Sequence, residues 1–215
     1  MEWWVVVPAK RLAEAKTRLT PVTARLGPAA AGRHHELVLA LLADTVAAAV
    51  DCPAVAGVLV VTDDPRAAAV VTALGARTVR DEPGAGLNPA LAHGALAARA
   101  AGADAVAALN SDLPALRPAE LAEALAAAAG HRRSFVADAD GTGTTLLCVT
   151  AGELGPRYGP HSAAAHAAGG AVPLAGSWPG LRRDVDTPSD LRTAAALGVG
   201  PRTGQLLDVT CRTPG

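Results

Sequence analysis

Apolar residues in this chain fall into short, dense runs separated by longer stretches with helical spacing. Val5-Val6-Val7 closes on Pro8, the pattern of a buried strand entering a loop. Residues 28–50 follow as a long Ala/Leu helix, with Leu37 and Leu41, and Val38 and Leu42, at i, i+4 spacing. A second apolar run at 57–61 ends in Thr62-Asp63-Asp64-Pro65, and a short helix over 66–74 closes at Gly75. The same alternation predicts a weak strand at 77–80, a loop at 81–88, a helix at 89–101, a strand at 104–109 and a helix at 118–129. Pro118 opens that last helix, with Glu120 in its first turn. Strands are expected at 134–137 and 146–149, and an edge strand at 171–174, where Pro173 is tolerated. A final helix spans 189–197 and stops at Gly198.

Strands alternating with helices imply βαβ units and a mainly parallel sheet covered on both faces. Residues 1–200 fit one domain, and residues 201–215 are expected to form a loose tail. Half of the 215 residues are hydrophobic but only 2% are aromatic, so Ala, Val and Leu must fill the core. The formal net charge is −1, with no basic stripe, which argues against nucleic acid as a partner. No uninterrupted apolar run reaches membrane-spanning length. The opening Met1-Glu2-Trp3-Trp4 has no signal-peptide pattern, and three distant cysteines make no disulfide framework. The expected setting is the cytoplasm.

Lysine occurs only at Lys10 and Lys16, while the other cations are arginine. In an Ala- and Arg-biased chain, two lysines within one loop suggest a compact ammonium held against phosphate. Ligands of open parallel sheets bind beyond the carboxyl ends of the strands. That edge is expected to carry the loop with Lys10, Lys16 and Arg18, the Asp63-Asp64 pair, the 83–88 loop and Asp112. Asp112 suits a hard cation such as Mg2+, or alternatively a plain turn before Pro114. Asp184 and Asp186 share one face of an extended segment, as metal ligands would, although Asp186 or Thr187 could instead cap the next helix. Gly141-Thr142-Gly143-Thr144 is either an anion nest or a simple turn. Arg157, Gly159 and Ser162 form a second candidate anion site. His34 and His35 read as helix residues. The chain has neither a Walker A loop, nor GxGxxG after the first strand, nor a Gly-x-Ser-x-Gly elbow.

Five pieces together resemble one family: Pro8-Ala9-Lys10 with Lys16-Thr17-Arg18-Leu19, Gly86-Leu87-Asn88, Asp112-Leu113-Pro114, Gly141-Thr142-Gly143-Thr144, and Asp184-Val185-Asp186-Thr187-Pro188. Their order and spacing are similar to the guanylyltransferases of coenzyme F-420 biosynthesis, which act on 2-phospho-L-lactate or phosphoenolpyruvate. The resemblance implies a Rossmann-like three-layer α/β/α nucleotidyltransferase fold with a mainly parallel mixed sheet. It implies GTP as donor, a phosphorylated three-carbon acid as acceptor and Mg2+ as cofactor. By the same resemblance, Lys10, Lys16, Arg18 and Asp112 would be catalytic. Pro8, Lys10, Lys16, Gly86, Leu87 and Asn88 would bind GTP, and Thr144, Gly159 and Ser162 would bind the acceptor. Asp112, Asp184 and Asp186 would hold the metal. The compositional bias is similar to that of actinobacterial members, for which phosphoenolpyruvate is the expected acceptor and 2-phospho-L-lactate the alternative. Hand-off of the product to the next transferase of the pathway is a further expectation.

An acceptor that is already a phosphate oxyanion needs no general base, so positioning and charge neutralisation suffice. Three rival readings stand beside this one. A nucleotidyltransferase with another base preference would differ in its nucleotide. A GT-A glycosyltransferase would use Asp138-Ala139-Asp140 as a DxD metal motif. A non-catalytic GTP sensor would bind without turnover.

Overall fold

The computed structural model of the chain describes residues 1–9, 19, 30–82 and 84–211. Seven strands form one sheet: β1 (Trp3–Pro8), β2 (Val55–Val61), β3 (Arg77–Val79), β4 (Ala105–Leu109), β5 (Arg133–Ala137), β6 (Thr144–Val149) and β7 (Val172–Pro173). Their spatial order is β3-β2-β1-β4-β6-β5-β7. The pairs β1–β2, β1–β4, β2–β3 and β5–β7 are parallel, whereas β6 runs antiparallel to both β4 and β5. The mainly parallel course is what the alternation of strands and helices implies, and the mixed sheet is what the resemblance implies.

Eight helices are described: α1 (Ala30–Val50), α2 (Pro65–Ala73), α3 (Leu87–Ala100), α4 (Pro118–Ala128), α5 (Ser162–Ala168), α6 (Pro179–Arg182), α7 (Pro188–Leu197) and α8 (Pro201–Cys211). Strands covered on both faces need apolar side chains at every position, and Val5, Val6 and Val7 are all fully buried. On one face, Val5, Val7, Ala107 and Leu109 meet Leu42 and Val46 of α1, Val71 of α2 and Leu121 and Leu125 of α4. On the other, Val6, Val61, Val106 and Ala108 meet Leu91, Ala95 and Ala98 of α3. The layers are therefore helix, sheet, helix. No helix among the described residues is long and apolar enough to cross a membrane.

The antiparallel course of β6 has a positional consequence. Leu146 pairs with Leu109, so the start of β6 lies at the edge where β4 ends. The Asn110 N–H donates to the Thr145 carbonyl there at 2.9 Å.

The expected loose tail is corrected over 201–211, which form α8. The Asp44 carboxylate, buried on α1, accepts from the N–H groups of Arg202 at 3.2 Å and Thr203 at 2.8 Å. The Gly200 N–H donates to the Pro114 carbonyl at 2.8 Å. Leu206 pads the cluster of Leu37, Leu41, Val185 and Leu191. Pro201 stands at its first position, but the capping carboxylate is far away in sequence. The Gly-, Pro- and His-rich stretch at 155–170 likewise contains α5, which the sequence pattern does not predict.

Gly94 lets α3 lie close against the sheet. A Cβ there would stand 2.5 Å from a Val6 methyl and 2.6 Å from a Val61 methyl. Gly94→Ala should therefore lose stability despite better helix propensity. Overpacking costs about 1–3 kcal/mol and the propensity gain is about 1 kcal/mol. A lower urea midpoint at unchanged m-value checks this, and an equal or higher midpoint contradicts it.

Candidate functional site

Beyond β4 the chain turns through Asn110-Ser111-Asp112, and Asp112 is only 6% exposed. Its position is set by its neighbours. The Leu113 N–H donates to Thr45 Oγ1 at 2.9 Å, and that hydroxyl donates to the Leu41 carbonyl at 2.8 Å. The Asp112 carbonyl accepts from the Val185 N–H at 3.0 Å. Val185 is fully buried with Leu37, Leu41 and Leu191, which anchors the Asp184–Asp186 segment beside Asp112. Alternation in an extended segment puts the two flanking carboxylates away from that apolar contact.

Of the two capping candidates, Asp186 and Thr187, it is Thr187 that caps the next helix, α7, its Oγ1 accepting from the Asp190 N–H at 3.3 Å. Asp190 reciprocates by accepting from the Thr187 N–H at 2.8 Å. Among the described residues, no group of three or more His, Cys, Asp or Glu could hold a metal by itself. Cation binding at this edge would therefore draw on ligand oxygens as well, the usual habit of Mg2+.

Several sequence candidates have structural duties instead. Asp64 caps α2 by accepting from the Arg66 N–H at 2.9 Å and the Ala67 N–H at 3.1 Å. Asp138 accepts from the Thr142 N–H at 2.9 Å and the Gly143 N–H at 2.8 Å. Those two N–H groups close the β5–β6 turn, so the Gly-Thr-Gly-Thr piece is a turn and not an anion nest. The same bonds occupy the first carboxylate of the DxD-like Asp138-Ala139-Asp140.

The second cluster is built around His166, which is fully buried on α5. Its Nε2 accepts from the Arg157 N–H at 2.8 Å, and its Nδ1 lies 2.9 Å from Thr144 Oγ1. Burial, reinforced by the Arg133 and Arg157 charges, pushes the imidazole pKa down to about 4. The ring is thus neutral at physiological pH, and with Nε2 accepting, Nδ1 carries the proton. The ring of Tyr158 meets His166 edge-on at 5.2 Å, and its hydroxyl donates to the Ala108 carbonyl at 3.1 Å.

Asn88 completes this cluster. Its amide Nδ2 donates to the Tyr158 carbonyl at 2.9 Å, and its Oδ1 accepts from the Tyr158 N–H at 2.7 Å. The amide that the resemblance places among the GTP-binding groups is engaged with the 155–162 loop. Gly86 N-caps α3 with φ 107°, a conformation that favours glycine. Gly159 (φ 141°) and the left-handed His161 (φ 57°) shape the loop before α5. Thr144 and Ser162 are 3% and 2% exposed, and the Ala163 N–H donates to the Thr142 carbonyl at 3.1 Å. The three expected acceptor residues thus lie in adjoining segments at one end of β6.

Pro8 ends β1, where the Ala9 N–H donates to the Val61 carbonyl at 2.9 Å. Lys10, Lys16 and Arg18 lie outside the described residues, as does Pro83. Sequence reasoning missed His166, Tyr158 and the Asn88 clamp. A lone histidine in an alanine stretch carries no spacing signal, and the partners of Asn88 are remote in sequence.

The family described as "Guanylyl transferase CofC like" matches residues 3–171. A protein of Geodermatophilus obscurus named phosphoenolpyruvate guanylyltransferase is 67% identical over 214 residues, covering 99% of this chain and 97% of that one. A protein of the same name from Streptomyces coelicolor is 57% identical over 206 residues, covering 94% of each. Among solved structures, a nucleotidyl transferase from Methanothermobacter thermautotrophicus is 26% identical, with TM-score 0.60, over 91% of this chain and 97% of that one. The 4-diphosphocytidyl-2C-methyl-D-erythritol synthase fold also matches, at 14% identity and TM-score 0.60, over 91% of this chain and 98% of that one. These likenesses agree with the nucleotidyltransferase fold expected from the sequence.

The Asn88 clamp generates a direct test. Asn88→Asp keeps an acceptor for the Tyr158 N–H but sets a carboxylate oxygen against the Tyr158 carbonyl. Stability should fall by about 1–3 kcal/mol, the cost of an unsatisfied, part-buried polar group. Urea denaturation at neutral pH measures it, and an unchanged midpoint contradicts the clamp.

Proposed function

This chain belongs to the CofC-like guanylyl transferase family, and from that premise we propose that it transfers GMP from GTP to phosphoenolpyruvate. The products are enolpyruvyl-diphospho-5'-guanosine and pyrophosphate, a step of coenzyme F-420 biosynthesis. The observation that carries the acceptor is the near-full-length identity to the Geodermatophilus protein that bears that name. A phosphate oxygen of the acceptor forms a bond to the α-phosphorus of GTP. The bond from that phosphorus to the bridging oxygen breaks, and pyrophosphate leaves with the electron pair.

The attacking oxygen is already anionic, so no side chain has to remove a proton from it. What the chain must supply is alignment and positive charge. Lys10, Lys16 and Arg18 neutralise the triphosphate. Pro8, Gly86 and Leu87 border the nucleotide, while the Asn88 amide acts through the loop it clamps. Thr144, Gly159 and Ser162 receive the phospho-acid.

Asp112 and Asp184, with Asp186, hold a divalent cation. The fit rests on the donor set: carboxylates only, on two adjoining segments, with the main chain of one bonded to the other. Hard divalent cations take such oxygen ligands and complete their shell with phosphate oxygens and water. Mg2+ bound there supplies charge neutralisation to the phosphates. The reaction belongs to the cytoplasm, where GTP is available, and the product passes to the next transferase of the pathway.

The test is pyrophosphate release with Mg2+, each nucleotide and each phospho-acid in turn. Release with GTP plus phosphoenolpyruvate, and not with ATP or CTP, is the expected outcome. Equal or faster release with 2-phospho-L-lactate overturns the acceptor. Silence with every acceptor despite GTP binding overturns the activity.

A further inference from the structure

The His166–Thr144 contact has a direction, and that direction bears on the acceptor. One neutral imidazole has one N–H, and here both ring nitrogens are engaged. The Arg157 N–H occupies Nε2 as a donor at 2.8 Å, so Nε2 must accept. The proton therefore sits on Nδ1, and Nδ1–H donates to Thr144 Oγ1 at 2.9 Å. A hydroxyl that accepts from His166 keeps its own hydrogen to give elsewhere. Among the described residues, Thr144 Oγ1 has no other hydrogen-bond partner.

We infer that His166 is a positioning residue of the acceptor subsite, fixing the Thr144 hydroxyl as a hydrogen-bond donor to an anionic oxygen of the phosphorylated acid. This rests on the proposed reading in which Thr144 faces that acid. The low-dielectric surroundings favour it. A donor held in place beside a buried, neutral ring costs no reorganisation when an anion arrives. The imidazole stays neutral because it is fully enclosed beside Arg133 and Arg157. A charged imidazolium would have to donate from Nε2 as well, against the Arg157 N–H.

The same ring fixes the loop that carries Gly159. Three contacts hold its preceding residues: Arg157 N–H to His166, the Tyr158 main chain to Asn88, and the Tyr158 hydroxyl to Ala108. Nε2 therefore serves the loop, whereas Nδ1 serves Thr144. The two functions separate by substitution. His166→Asn places an amide near Nδ1 and loses the Nε2 contact. His166→Gln places one near Nε2 and loses the Nδ1 donor.

The experiment is steady-state pyrophosphate release, with KM measured separately for phosphoenolpyruvate and for GTP. His166→Gln and Thr144→Val should each raise the acceptor KM about tenfold or more, the scale of one lost hydrogen bond to a charged group, at unchanged GTP KM. The double variant should lose no more than either single one, and His166→Asn should restore most of the acceptor affinity. An unchanged acceptor KM in His166→Gln, or an equal rise in both KM values, overturns the inference. If His166→Gln does not fold, Thr144→Val against Thr144→Ser decides, and an acceptor KM in Thr144→Val equal to that of the unsubstituted protein overturns it. If the unsubstituted protein turns over no phospho-acid, the underlying reading of the acceptor has failed. Turnover that is normal but indifferent to both substitutions sinks the roles of His166 and Thr144 and leaves the reaction itself standing.

Discussion

One main-chain hydrogen bond, from the Val185 N–H to the Asp112 carbonyl, ties the two acidic segments of this fold together. It joins the turn after β4 to a segment that arrives only after α4, β5, β6, β7 and the two short helices α5 and α6. It sets the acidic residues on either side of Val185 beside Asp112. The bond is protected because Val185 is sealed in an apolar cluster with Leu37 and Leu41 of α1 and Leu191 of α7. On the far side, Thr45 of the same α1 holds the Leu113 N–H. A single long helix therefore registers both acidic segments, and α8, capped by Asp44 of that helix, closes over the cluster.

The second constraint is the reversal of β6. A sheet of parallel strands presents strand ends, followed by loops, at its ligand edge. An antiparallel β6 presents its beginning there, which puts Thr144 and Thr145 beside the exit of β4. The buried His166 and the Asn88–Tyr158 clamp then bring the 155–162 loop against the same place. A phosphate acceptor and a nucleotide need adjoining, separately built subsites for in-line transfer. In the proposed reading, the two clusters on either side of the β4 exit would serve as those subsites.

Much of this was legible in the sequence where the cause is local. Val5-Val6-Val7 and the 105–109 run are apolar throughout because both faces of the sheet are covered. Pro118 and Glu120 mark the start of α4 within four residues of each other. Asp112, three residues beyond a buried strand, read from its surroundings either as a cation ligand or as a plain turn. What escaped was set by distant partners. The main-chain N–H groups of Gly180 and Leu181 at the start of α6 are met by Glu120, and those of α8 by Asp44. Asn88, which the resemblance places among the GTP-binding residues, has its amide matched by the remote Tyr158 main chain. The DxD-like Asp138 closes a turn because Thr142 and Gly143 follow it at hairpin spacing.

The proposed chemistry rests on Asp112 and Asp184 serving one cation, and a double-mutant cycle in kcat/KM tests that most directly. Asp112→Asn and Asp184→Asn would each be measured alone and together, with GTP and phosphoenolpyruvate. Ligands of one ion act as a unit, so each single variant should lose most of the activity and the double variant little more. Losses that multiply in the double variant, or a single variant with near-normal turnover, would contradict a shared ion at this edge.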